Sequence, residues 1–249
     1  MSSIKKNEEI IKSIRVRNHS VIVRKENWIK YDPLQKKYSL HTRLTKKDQF
    51  QNNNKNLLNT LKKIFKNAQN GQNGQIEISR EDIFKEKKDL EKKLIMVLLW
   101  GYPTGGRGNN IADILYSRNE LIPRISDFIE NHEKMINSKD FKNLFYTQNK
   151  NGEKGEKIKG IGLSTMSKIL YFFEIKIDNN PCLIYDSQIH LSLQRNQIDE
   201  FYDYPWKKNY PSFFHYLEVI NKCSEEIKTE PDTLELFLFL YNTHFNLQD

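Results

Sequence analysis

The sequence predicts a mainly α-helical protein, and three observations carry the prediction. Apolar residues recur at helical spacing from Ser79 onward, capping residues open several of these stretches, and strand-like alternation is confined to short patches. A chain of 249 residues is long enough to bury a substantial core, as one two-lobed domain or two small ones. No internal repeat is visible.

Residues 1–75 are rich in Lys, Asn and Gln and read as an N-terminal arm or small subdomain. Within them SVIVRKENWIKYD, from Ser20 to Asp32, alternates enough for one or two short strands, while Leu57, Leu58, Leu61 and Ile64 give Asn56–Phe65 a helical period. The polar run AQNGQNGQ that follows is a loop. Residues 76–249 then read as one helical domain. Its first helix runs from the Ser79 cap through acidic residues in the first turn to the apolar end at Trp100. Helical periodicity continues over Ile111–Tyr116, Leu121–Met135, Ser164–Phe173, Ser187–Gln194, Pro211–Lys228 and Pro231–Tyr241. The lysine runs Lys85–Lys88 and Lys92–Lys93 are expected on the solvated face of their helix.

Forty Lys and Arg against 32 Asp and Glu give a net charge of +8, which favours an anionic partner such as nucleic acid. Cys182 and Cys223 stand far apart with no accompanying Cys or His group, so no zinc site or iron–sulfur cluster is expected, and no cofactor. This cysteine usage fits a reducing cytoplasm. The first residues lack an apolar signal core, and the longest apolar run, Leu94–Trp100, is too short to span a bilayer, so a soluble cytoplasmic protein without membrane association is expected.

Chemistry concentrates in two neighbouring segments. In Lys157–Leu170, Gly160 and Gly162 flank an apolar residue and are followed by Ser164, Thr165 and a helix. Such a turn lets free backbone N–H groups, with Lys159, Ser164, Thr165 and Lys168 beside them, approach a phosphate closely, holding nucleic acid without reading its sequence. As turn chemistry alone it would equally bind nothing. About two dozen residues later the apolar run Cys182–Tyr185 ends in Asp186, which opens a helix. On its own, Asp186 reads as an N-cap first and as a functional carboxylate second.

Together the hairpin Ile158–Gly162 and Asp186 resemble the helix-hairpin-helix DNA glycosylase superfamily, in which an apolar-x-Gly-apolar-Gly hairpin precedes a buried run ending in Asp. The chain is most similar to the 8-oxoguanine glycosylase fold, including small bacterial members with the Trp-Gly-Tyr-Pro segment that stands here as Trp100–Pro103. The resemblance covers roughly residues 80–245. It implies two helical lobes with the hairpin and Asp186 at the cleft between them, and leaves residues 1–75, an N-terminal extension whose own pattern suggests short strands, unexplained. It also implies a double-stranded DNA partner carrying a modified base, and Asp186 as the carboxylate that stabilises positive charge on the sugar and orients water. A monomer is expected.

Two departures from the family pattern matter. Ser164 stands where bifunctional members carry a nucleophilic Lys, and Ser cannot form a Schiff base, so the resemblance implies a monofunctional enzyme that leaves an abasic site. Lys168, one helical turn on, is the alternative amine, although helix geometry places it differently. Gln188 stands where a His is common, and its amide can still contact a phosphate.

A base extruded from a duplex is held by stacking and edge hydrogen bonds. Candidates are Trp100, Tyr102 and Arg107 in the glycine-rich segment 100–110, which could equally be a helix C-cap and turn. In the late helix, the resemblance offers Glu235 and Phe239; Glu235 could instead point outward to solvent. The segment Phe201–Tyr210 mixes aromatics with Lys207 and Lys208, and either stacks on DNA or packs its rings on the domain. The expected function is hydrolytic excision of a damaged or modified base, either oxidised guanine in repair or a hypermodified phage base in anti-phage defence. The competing classes are a non-catalytic DNA-binding hairpin module and an RNA-binding protein.

Overall fold

The computed structural model describes residues 3–29, 57, 59–66, 74–105, 110–131, 134–139, 141–148, 154–158, 160–195, 198–201 and 204–244. The protein is mainly helical with a few short strands. The chain divides into two compact units, one of Met1–His19, Arg124–Lys157 and Ile161–Asp249, the other of Ser20–Pro123 and Ile158–Gly160.

In the second of these units, β1 (Ser20–Arg24) pairs antiparallel with β2 (Gln75–Ser79), with Val21 opposite Ile78 and Val23 opposite Ile76. The Ser20–Asp32 patch is therefore only partly a strand. Its continuation KENWI forms a helix, α3 (Lys25–Ile29), whose Trp28 is fully buried. Residues 59–66 form α4, with Leu61 and Ile64 buried as their spacing predicts. Of the predicted AQNGQNGQ loop, residues 68–73 lie outside the described residues.

The long helix expected from Ser79 is two helices, α5 (Arg80–Lys85) and α6 (Leu90–Gly101). Ser79 and Asp82 make the capping box that starts α5, as the sequence predicts. The break comes from a second cap: Asp89 accepts from the Lys92 N–H at 2.9 Å, while Glu86 accepts from the Asp89 N–H and pairs with the Lys92 ammonium. These side chains offer the backbone a turn in place of a continuous helix. Leu94 to Trp100 are all buried, so α6 is enclosed on every side. Lys93 is buried too, with its ammonium over the Phe84 ring, and so leaves the solvated face expected for it.

α7 (Asn110–Asn131) merges the two helices expected over 111–135 and continues past Pro123, which lies at the boundary between the units. Leu121, Ile125 and Phe128, at helical spacing, are buried. Met135 belongs instead to β3 (Met135–Ile136), after Lys134 adopts a positive φ of 60°.

In the first unit, β3 pairs parallel with β6 (Lys176–Ile177), which turns back antiparallel into β7 (Asn180–Pro181). The turn residues Asp178 and Asn179 both have positive φ, 48° and 68°, as a two-residue hairpin of matching twist requires. β4 (Tyr146–Gln148) and β5 (Lys154–Lys157) form a second hairpin that leads into the glycine turn. The unit continues with α8 (Leu163–Phe172), α9 (Ser187–Gln194), α10 (Tyr210–Glu226) and α11 (Pro231–His244), the last packed on α9 and α10. The N-terminal helices α1 (Ser3–Lys6) and α2 (Glu8–Ser13) also belong to this unit; α2 contacts α11, and the Ile4 N–H donates to Glu200 at 3.2 Å. No described helix is long and apolar enough to cross a membrane.

Candidate active site

Gly160 carries a φ of +80°, a left-handed conformation that strains any residue with a Cβ, so this glycine is demanded by the turn itself. Ile158 and Ile161 on either side are buried and fix the hairpin. Gly162 is different. It is the exposed N-cap of α8, has an ordinary φ of −87°, and a Cβ added there would meet nothing within 4 Å. The N-cap position makes no side-chain hydrogen bond to this helix start, whose first-turn N–H groups have no intrahelical acceptor.

Asp186 sits at the N-cap of α9. Its Oδ1 accepts from the Gln188 N–H at 2.9 Å and the Ile189 N–H at 3.3 Å, and its Oδ2 accepts from Lys168 Nζ at 3.0 Å. The same Lys168 ammonium donates to Ser164 Oγ at 2.9 Å. Ser164 and Lys168 stand four residues apart on one face of α8, so the hairpin helix and the carboxylate are joined by a single cation. The Lys168 side chain is 5 % exposed and that of Asp186 is 16 % exposed, leaving the carboxylate a narrow opening. Burial pushes the Asp186 pKa up, but the charge and hydrogen bond of Lys168, with the two α9 amides, more than offset it. The carboxyl is held below its ordinary range and is ionised.

The run before Asp186 is placed by polar contacts rather than by a strand ladder. Cys182, Leu183, Ile184 and Tyr185 are all buried. The Cys182 N–H donates to the Ile175 carbonyl at 3.1 Å, the Tyr185 N–H donates to Ser167 Oγ at 3.0 Å, and Tyr216 OH donates to the Ile184 carbonyl at 3.3 Å. Ser167 in turn donates to the Ser164 carbonyl at 3.1 Å, tying this run to α8. Tyr185 OH donates to the Lys207 carbonyl at 2.9 Å, which fastens the 204–208 loop beside the site. Ser167 and Tyr185 were not singled out from the sequence. The spacing Ser164, Ser167, Lys168 on one helix face was the available signal for Ser167; the Tyr185 contact spans 22 residues and had none.

The other predicted residues fall as follows. Thr165 is buried in the first turn of α8, and Gln188 is half-buried in the first turn of α9. Lys159 and Arg107 lie outside the described residues. Trp100 is buried in the other unit, with the buried Arg80 guanidinium 5.2 Å from its ring centroid. Tyr102 ends α6, and its carbonyl accepts from Gly105, whose φ is +83°. Locally this segment is a helix C-cap and turn. Glu235 is fully buried, so it does not point outward to solvent. Phe239, one turn on, is half-buried with its ring edge-to-face against His19 at 5.5 Å. In the 201–210 segment, Phe201 and Trp206 are buried, and the Trp206 indole N–H donates to the Phe201 carbonyl at 2.8 Å, so these rings pack on the domain.

Both cysteines are buried free thiols, and burial raises the pKa of each, Cys223 to about 12. Among the described residues no group of three or more His, Cys, Asp or Glu is placed to hold a metal ion. An ionised, nearly enclosed carboxylate tied to the helix that follows the glycine turn can stabilise a cationic transition state.

Comparison with known proteins extends the match beyond the residues that carry the resemblance. A family model described as "Putative 8-oxoguanine DNA glycosylase OGG-like protein" matches residues 14–239, reaching well into the N-terminal segment. No curated protein and no solved structure matched the chain. The chain belongs to this OGG-like 8-oxoguanine DNA glycosylase family.

Proposed function

We propose that the protein is a monofunctional DNA glycosylase that hydrolyses the N-glycosidic bond of a damaged or modified base, with Asp186 as the catalytic carboxylate. The observation that carries this is the state of Asp186: ionised, fixed by two backbone amides and one ammonium, and open to solvent only through a small aperture. As the C1′–N bond breaks, its electron pair leaves with the base, which takes up a proton, and positive charge develops on the sugar. A fixed carboxylate in a water-poor site stabilises that charge far better than water does. Water then bonds to C1′, and its proton passes to Asp186 or solvent, leaving an abasic site.

In this reading the hairpin holds the DNA backbone through the amides of the first turn after Gly162, and Glu235 and Phe239 contribute to the base pocket. Lys168 is spent on Asp186 and Ser164, which makes it a counter-ion and positioning residue in place of a nucleophile.

The test is a panel of duplexes, each carrying one modified base and including 8-oxoguanine and hypermodified pyrimidines. Release of free base would be followed by mass spectrometry and strand breaks with and without hot alkali. Base release with breaks only after alkali is the expected result. Prompt cleavage without alkali would overturn the monofunctional assignment, and tight binding with no release on any duplex would favour the non-catalytic hairpin module.

A further inference from the structure

We infer that the 204–208 loop is a second DNA-backbone surface beside the site, with Lys207 and Lys208 as its phosphate-binding cations. The inference rests on the reading of DNA as the partner, and adds to the hairpin a contact that the glycine motif does not provide.

The loop is held rigidly and its charges are free. The Lys207 carbonyl accepts from Tyr185 OH at 2.9 Å, and the Lys207 N–H donates to Ser212 Oγ at 3.1 Å, so both backbone groups are tied. Trp206 is buried beneath them, its ring against Phe201 at 5.8 Å and stacked on His215 at 5.6 Å. Asn209 closes the segment by capping α10, accepting from the Ser212 N–H at 3.0 Å. Lys207 and Lys208 are both exposed, and among the described residues neither ammonium has an ion-pair partner. Most aromatics of the segment thus serve as its anchor, and the lysines are what it presents.

Position separates this pair from the many other lysines of the chain. Tyr185, which fastens Lys207, is the residue before Asp186. The charge of Lys208 is felt at His190, one turn into α9, where with burial it lowers the imidazole pKa. The first observation puts the Lys207 backbone beside the residue that precedes Asp186, and the second puts the Lys208 charge near the helix that Asp186 caps. Two unpaired ammonium groups on an anchored loop suit successive phosphates of one strand better than a patterned hydrogen-bonding ligand.

The experiment measures equilibrium affinity for a short duplex as a function of salt, for the full chain and for the double variant Lys207→Ala/Lys208→Ala. Loss of two phosphate contacts should lower the slope of log K against log salt by about 1.8. Lys207→Arg/Lys208→Arg should restore the slope. Lys222→Ala/Lys228→Ala, an exposed pair toward the other end of α10, is the control and should leave it unaltered. An unchanged slope in the first variant, or an equal fall in the control, overturns the inference. A fall of about 1.8 in a protein that releases no base would keep this surface and reject the enzymatic reading instead.

Discussion

At the scale of single residues, Lys168 holds Asp186 ionised. Removing the amine by Lys168→Met leaves the burial of Asp186 in place and takes away its nearest positive charge, so the carboxyl pKa rises. An opposite charge at hydrogen-bond distance is worth about 1–3 pH units, and the acid limb of the base-release profile should move up by about that much. Lys168→Arg should recover part of the shift, which a purely structural loss would not predict. The sign for stability follows the same pair. The folded pKa of Asp186 is lowered, so its contribution is present above the unfolded carboxyl value near ~3.9 and lost as pH falls through the folded value. If the limb stays in place in the methionine variant, Lys168 is not the counter-ion. Asp186, Ser164 and Lys168 were all legible in the sequence, because motif order and helical spacing are local properties. That one ammonium bridges the other two was not, since it depends on which turn of α8 faces a residue 18 positions later.

At the scale of elements, the two glycines of the hairpin do different jobs and a pair of substitutions separates them. Gly160→Ala places a Cβ on a left-handed residue and should cost about 1–2 kcal/mol of stability. Gly162→Ala has room for its Cβ and loses only some capping preference, at most about 1 kcal/mol. If the first-turn amides of α8 receive a phosphate, the added methyl at 162 stands in its path. Gly162→Ala should therefore weaken DNA binding with little change in melting temperature, and Gly160→Ala should do the reverse in proportion. Equal binding by wild type and Gly162→Ala would remove the hairpin from the interface.

The elements also show where periodicity was a sufficient guide. α8, α9, α10 and α11 lie close to their predicted spans because each begins at a strong local signal: the glycine turn, Asp186, Asn209–Pro211 and Pro231. The break between α5 and α6 and the helical KENWI segment were missed. Charged residues at 86–89 fit a helix face as well as a cap, and a single amphipathic turn is too short to tell from a strand by period.

At the scale of the molecule, the family match over residues 14–239 and the folded N-terminal elements account for much of the segment that composition alone set apart. The sequence could not place α1 beside residues 199–201, because the contact between Ile4 and Glu200 joins positions 196 apart. The pairing of β1 with β2 was invisible for the same reason: it joins positions more than fifty residues apart, across segments whose own patterns look polar and irregular. Within the first unit, the described elements hold the ionised Asp186 carboxylate against the helix that follows the glycine turn.

The most direct test of the central claim compares single-turnover release of free base by wild type and Asp186→Asn on a duplex that the wild type processes. Asn keeps the helix cap, so folding and DNA affinity should persist, while the charge that stabilises the sugar cation is gone. We predict that release falls by about 100-fold or more with binding retained. Release at the wild-type rate by a folded, DNA-bound Asp186→Asn protein would contradict the account.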